Sequence, residues 1–202
     1  MEKCRQAGTV QPDERVYTSF IRALTKGRPI GLHKKADVLL QRMKKLSEQG
    51  SRTLKPSIFT YNAVIFACAE SLYLEDDSSE DAFKTAVKVF NELRNSKERP
   101  DHVTYGNMIR CSRLLPDGEQ KNKFVSATFR LCCEKGYVNS FVVRDLQECV
   151  SEDLWRELLG CRSGPVELDF LPSDWSYMID RKGSSIDKGG FKRGHNPRDR
   201  RR

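Results

Sequence analysis

The chain has 202 residues and a mass of 23.2 kDa, with 38% hydrophobic residues, 32% charged residues and a formal net charge of +8. That composition supports one domain or two small ones and excludes a wholly disordered polymer. No apolar run is long enough to span a bilayer, and the opening Met-Glu-Lys-Cys-Arg-Gln lacks the short apolar core of a secretory signal.

The charge is unevenly spread. Residues 1–60 carry 13 basic and 5 acidic side chains, residues 61–180 carry 14 and 21, and residues 181–202 carry 9 and 2. The chain is thus basic at both ends and acidic between them, so net charge alone does not assign a nucleic-acid partner to the middle. The last segment is rich in Gly, Ser, Lys and Arg and has no apolar period, which predicts a disordered basic tail over 181–202.

In chain order the apolar residues alternate between helix and break. Tyr17, Phe20, Ile21 and Leu24 follow helical spacing, Gly27-Arg28-Pro29 interrupts it, and Ala36, Leu39, Leu40, Met43 and Leu46 resume it. Tyr61, Val64, Ile65 and Cys68 form the next stripe, and Ala82, Ala86, Val89, Phe90 and Leu93 the one after. Ser78-Ser79 before Glu80-Asp81 reads as the N-terminus of that later helix. Tyr105, Met108 and Ile109 open a third pair, and Phe124, Ala127, Thr128, Leu131 and Cys132 are its predicted second stripe. A shorter pair follows, over Phe141–Val150 and Ser151–Leu159, with Leu146, Leu154, Trp155, Leu158 and Leu159 predicted to face inward.

These pairs are copies of one unit. Prolines fall at 12, 56 and 100 and tyrosines at 17, 61 and 105, so two residue types share a spacing of 44. The period predicts an all-α fold of stacked helix-turn-helix repeats, an α-solenoid, and by itself fits HEAT or armadillo repeats as well. Its boundaries are the end of a preceding repeat over 1–13, repeats over 14–57, 58–101 and 102–140, a capping helix pair over 141–160, an extension over 161–180 and the tail. Met1–Gly8 reads as the end of a second helix, so the chain is expected to begin inside a longer array. Tyr17, Tyr61 and Tyr105 sit in the apolar register and are expected to pack.

Other chemistry is thinly represented. The seven cysteines form no Cys-x-x-Cys pair and the three histidines lie far apart, so no zinc site or disulfide framework is expected. Glu75-Asp76-Asp77 lacks metal-ligand spacing and reads as a solvated loop. No nucleophile–base pair and no Gly-rich phosphate loop occurs, so neither catalysis nor a cofactor is expected.

Pro56-Ser57-Ile58-Phe59-Thr60-Tyr61-Asn62-Ala63-Val64-Ile65 and Pro100-Asp101-His102-Val103-Thr104-Tyr105-Gly106-Asn107-Met108-Ile109 resemble the joint and opening helix of pentatricopeptide repeats. Asp81-Ala82-Phe83 through Glu92-Leu93 is similar to that family's second helix. The family's repeats are shorter, and the surplus is expected between the two helices, at Gly27–Leu32 and Tyr73–Ser79. Those insertions, Leu171-Pro172-Ser173-Asp174-Trp175-Ser176 and the Thr-Tyr-Gly opening are similar to algal members.

The resemblance implies a solenoid whose first helices bind single-stranded RNA, about one base per repeat. It implies base reading by Thr18 with Ser57, by Asn62 with Asp101 (a uridine preference), and by Gly106 with Ser140, where glycine has no side chain to discriminate. Arg15, Phe59 and Val103 would flank the bases, and Phe59 could stack on one. Apart from the resemblance, Lys192, Arg193, Arg200, Arg201 and Arg202 are candidate phosphate contacts in the tail, and Arg200-Arg201-Arg202 reads equally as a nuclear signal or an inert end. The implied setting is organellar RNA metabolism, in mitochondrion or plastid, alongside other RNA-processing proteins and with no membrane or small-molecule substrate. Without a visible transit peptide, the other compartment is cytoplasmic. Three units read about three bases, too few to select a transcript unaided. The competing expectation is a protein-binding helical scaffold using the same surface.

Overall fold

The computed structural model describes residues 12–71, 79–161 and 168–179, all of it helical or irregular with no strand among them. The expected tail, the Met1–Gly8 segment, the acidic Glu75-Asp76-Asp77 stretch and the second expected insertion lie largely or wholly outside the described residues.

Eight α-helices run in order: α1 Glu14–Gly27, α2 Leu32–Glu48, α3 Ile58–Glu70, α4 Ser79–Arg94, α5 His102–Cys111, α6 Glu119–Glu134, α7 Ser140–Gln147 and α8 Glu152–Leu159. The repeat is visible in how the odd helices begin. Asp13, Ser57 and Asp101, each directly after a proline, adopt extended backbone as N-caps, and Asn139 caps α7 without one. Proline blocks helix before the cap, and the cap side chain accepts from the orphan amide three residues on, so each joint restarts the helix in the same register. Asp13 accepts from Val16 N at 3.0 Å and Asp101 from Thr104 N at 3.0 Å.

Successive pairs stack. α3 packs against α1, α2, α4 and α5, and α5 against α3, α4, α6 and α7. A helix enclosed on so many sides must be apolar nearly all round, and α3 is, with Tyr61, Val64, Ile65, Ala67 and Cys68 in the core. The even helices need only one buried stripe, which Ala36, Leu40 and Met43 form in α2 and Ala82, Ala86, Val89, Phe90 and Leu93 in α4. Ion pairs rim this joint: Lys88 to Asp37 at 2.7 Å, Lys44 to Glu92 at 3.0 Å and Lys34 to Asp81 at 3.5 Å.

Tyr17, Tyr61 and Tyr105 are buried as expected. Tyr105 packs edge-on to Phe90 and against Tyr137, and burial pushes its hydroxyl up to about 12. Cys68, Cys111, Cys132, Cys133 and Cys149 are buried free thiols, while Cys161 is exposed. Burial raises Cys133 to about 12 and pushes Cys68, Cys111, Cys132 and Cys149 up as well.

Four expectations are corrected. The α6 stripe is Val125, Thr128, Phe129, Cys132 and Cys133, and Ala127 is exposed. Of the expected stripe, Thr128 and Cys132 are buried and Phe124 and Leu131 pack half-buried against the core, so only Ala127 is misplaced and the stripe is centred slightly further round the helix. The surplus length of the first unit is not between its helices, because Arg28–Gly31 suffices to join α1 to α2. It lies in the 17-residue α2 and in the connection after it, which holds a 3-10 turn at Arg52–Leu54. α7 ends at Gln147 rather than Val150. Phe20, expected inward, is exposed, whereas Leu24 packs half-buried against the core.

The far end of the stack is closed by the segment after residue 168. Val138 N donates to Trp175 O at 2.8 Å, Met178 N to Gly136 O at 3.0 Å and Ser176 Oγ to Val138 O at 2.7 Å. The Trp175 ring meets Phe129 edge-on. Gly136, with φ of 69°, lies against the Tyr177 ring where any Cβ would collide.

Candidate nucleic-acid interface

The residues implied as base readers and base flankers lie at the N-termini of the odd helices, so the caps fix their geometry. Two residues after each cap, Arg15, Phe59, Val103 and Phe141 form an exposed row. Phe59 is 62% exposed, although the rest of α3 is enclosed except for half-buried Ile58 and Phe66. A large aromatic left in water on an otherwise buried helix marks a contact surface. The Phe141 ring carries the Arg144 guanidinium 5.2 Å from its centroid.

Five residues after each cap come Thr18, Asn62 and Gly106, just beneath this row. At the second joint Asn62 and Asp101 meet directly: Asn62 Nδ2 donates to Asp101 Oδ1 at 3.1 Å, and Thr104 Oγ1 donates to Asn62 Oδ1 at 2.7 Å. Asp101 Oδ1 also caps α5, and Thr104 Oγ1 accepts from Asp101 N at 3.1 Å, completing a capping box. Asn62 is 6% exposed, so its orientation is held by these bonds.

The first joint uses a relay. Thr18 and Ser57 both donate to Glu14 Oε1, at 2.9 and 2.6 Å, and Thr60 Oγ1 does so at 2.8 Å. Thr18 and Thr60 hydroxyls lie 2.8 Å apart, the counterpart of the Asn62–Thr104 bond. Burial opposes charge on Glu14, but the hydroxyls of Ser57, Thr60 and Thr18 outweigh it and hold the carboxyl below the usual glutamate range.

The third joint differs. Asn139 holds the cap, donor Val142 N lying 3.0 Å from Asn139 Oδ1, and Ser140 is the exposed first residue of α7. The cap-equivalent partner of Gly106 is therefore Asn139, one residue before Ser140. A Cβ on Gly106 would lie 2.7 Å from Asp145 Oδ2, so the missing side chain is what admits the Asp145 carboxylate. Burial raises the Asp145 pKa, and neighbouring Arg110 and Arg144 partly offset this.

Nine residues after the caps a second row appears. Arg22, Phe66 and Arg110 repeat at 44-residue spacing, a signal present in the sequence and not followed past the tyrosines. Arg110 sits 5.1 Å over the Phe66 ring and pairs with Glu70 at 2.8 Å, and Glu70 also binds Arg28 at 3.2 Å. Arg22, Thr25, Lys26, Arg28, Phe66 and Glu70 line a cleft of about 640 Å³. Arg15, Arg22, Lys26, Arg28 and Arg144 are exposed, whereas Glu14, Glu70, Asp101 and Asp145 are at least half-buried and bonded. Outward-facing charge along these rows is therefore chiefly cationic, though residues 61–180 are acidic in sum.

Lys192, Arg193, Arg200, Arg201 and Arg202 lie outside the described residues. Among the described residues no group of three or more His, Cys, Asp or Glu stands together as a metal site, and no helix is long and apolar enough to cross a membrane. Fold and site together define a class: an all-helical, repeat-like chain with a periodic aromatic and cationic surface. No family profile, curated protein or solved structure matches the chain.

Proposed function

We propose that the chain is a right-handed α-solenoid of pentatricopeptide type that binds extended single-stranded RNA along the exposed edges of α1, α3, α5 and α7. The observation that carries this reading is the Asn62–Asp101 hydrogen bond beneath the exposed Phe59. A carboxamide held by two neighbours presents its remaining N–H and lone pair in fixed directions, as recognition of a pyrimidine Watson–Crick edge requires. Phe59, Val103 and Phe141 offer surfaces between which bases can lie, each stacked base contributing about 1–3 kcal/mol. Arg15, Arg22, Lys26 and Arg28 suit phosphates. Function is by occupation: bound RNA is kept from nucleases and from pairing, in organellar RNA processing, stability or translation.

The test is fluorescence anisotropy with short U-rich RNA and matched A-rich RNA at several salt concentrations. Binding should weaken with salt and favour the U-rich strand, and joint replacement of Asn62 and Asp101 by alanine should erase that preference while leaving salt-dependent binding. Absence of salt-sensitive binding at low ionic strength refutes the RNA reading. Preference unchanged in the double variant refutes the assignment of these two residues.

A further inference from the structure

Five residues after a cap, Thr18 and Asn62 carry polar side chains, whereas Gly106 at the third joint carries none. Its space is nevertheless claimed. A Cβ on Gly106 would meet Asp145 Oδ2 at 2.7 Å and Asp145 Cγ at 3.8 Å, so the carboxylate of the next unit stands where a side chain of Gly106 would begin.

Asp145 lies six residues after the Asn139 cap, and its counterparts on the other odd helices show what that place does in the fold. On α3 it is Ala63, whose methyl bonds to nothing. On α5 it is Asn107, whose Nδ2 donates to the Asn62 carbonyl at 3.3 Å and ties α5 to α3. A carboxylate has no hydrogen to give a carbonyl, so Asp145 does not repeat that bond at Gly106. It is held from the side instead. Arg144 Nη2 lies 3.7 Å from Oδ1, and burial, which raises the Asp145 pKa, is opposed by Arg110 and Arg144. Oδ2, the oxygen over Gly106, forms no hydrogen bond among the described residues. The side chain is 11% exposed, and Oδ2 is not one of the orphaned polar atoms shut off from water. A nearly buried acceptor, aimed at the place of a missing side chain and left unspent, is disposed to bind something.

Resting on the RNA reading above, we propose that Asp145 is the base-reading group of the third joint and that it selects guanosine. Guanine alone among the four bases presents two N–H donors side by side on its Watson–Crick edge, the ring N–H and the 2-amino group, and a carboxylate accepts both at once. Cytosine and adenine each place an amino group beside a ring acceptor that repels the second oxygen. Uracil has one N–H between two carbonyls. The glycine is then a clearance: it lets a base edge come close to a carboxylate supplied by the following unit.

Fluorescence anisotropy on the full chain tests this with a U tract holding one central guanosine, against the same tract with inosine, adenosine or uridine at that place. Uridines flank the central base on both sides, so strand direction does not matter. Guanosine should bind tighter than inosine, which lacks the 2-amino group, by roughly fivefold or more. Asp145→Asn should bring the two level while leaving salt-dependent U-tract binding. Its thermal melt should hold or rise, because the amide can donate to the Gly106 carbonyl as Asn107 does to that of Asn62. Asp145→Ser, smaller and also unable to take two donors, should likewise level the two. Equal affinity for guanosine and inosine in the unaltered chain overturns the proposal and leaves the RNA reading standing, as does a guanosine preference that survives in a folded variant. No salt-sensitive binding to any of these RNAs overturns both.

Discussion

Replacing Asp101 with alanine removes several bonds at one atom, and the structure lets the cost be separated into parts. Asp101 Oδ1 caps α5 through Thr104 N and accepts from Asn62 Nδ2 across the joint. Loss of an N-cap costs about 1 kcal/mol. Stranding the buried Asn62 amide adds about 1 kcal/mol or more, since a donor shielded from water loses its partner without regaining solvent. The sum is about 2 kcal/mol, a fall in Tm of about 4–8 °C for a chain of this size. Asp13→Ala is the internal reference. Asp13 makes the same capping bond to Val16 N at the exposed start of α1, with no cross-joint partner among the described residues, and should cost about 1 kcal/mol or less. Urea unfolding followed by far-UV circular dichroism measures both. A double-mutant cycle with Asn62→Ala isolates the cross-joint bond, with an expected coupling of about 1 kcal/mol. If Asp101→Ala costs no more than Asp13→Ala and the cycle is additive, the Asn62–Asp101 pair does not hold the joint, and the site loses its fixed geometry.

Glu14 supplies a pH test. Its folded pKa lies below the unfolded one, so its stabilisation is present above the unfolded value and is lost as pH falls through the folded value. Urea titrations from neutrality to about pH 3 should show an acid limb that flattens in Glu14→Gln, and superimposable limbs would exclude the relay. Native alkylation with iodoacetamide, read by mass spectrometry, should label Cys161 and spare Cys68, Cys111, Cys132, Cys133 and Cys149, whose thiols are buried and protonated. Rapid labelling of the buried five would mean the stack is open. Gly136→Ala forces a left-handed residue and drives a methyl into the Tyr177 ring. It should cost about 2 kcal/mol or more and raise amide exchange at Val138 and Met178, so unchanged exchange there would show that the closing segment is not held as described.

Much of this was legible because caps and prolines act locally. Pro12, Pro56 and Pro100 fix where the odd helices begin, and the tyrosine five residues on follows from the same register. Registers without such punctuation were harder. α6 has no cap side chain, and consecutive apolar residues such as Phe124 and Val125 blur the edge of its stripe, so Ala127 is placed on the wrong face while Phe124, Thr128, Leu131 and Cys132 meet the core. Periodicity also reports which face of a helix is apolar, not whether anything covers it. Phe20 and Val64 obey the same rule, and only the order of packing separates an end face from an interior joint. The roles of Glu14 and Asp145 could not be read from spacing, because each acts across a joint on residues far away in sequence.

The three joints differ in what they leave free for a ligand, and that follows from counting hydrogens. At the first, the hydroxyls of Thr18, Ser57 and Thr60 converge on Glu14, with Thr18 and Thr60 also within reach of each other, so their hydrogens are committed and only lone pairs remain. Such a slot accepts but cannot donate, and in the proposed complex it favours a base edge rich in N–H groups. At the second, Asn62 keeps one N–H and one lone pair after satisfying Asp101 and Thr104, which suits an edge with both. At the third, Gly106 offers nothing of its own, but the carboxylate admitted into its space is an acceptor, and burial raises its pKa. A carboxylate in that position pairs best with two adjacent donors, so discrimination at the third joint would come from Asp145 on the following unit. In the proposed RNA complex, base preference would thus be set less by the residue after each tyrosine than by how the next unit's cap and helix have already spent its hydrogen bonds.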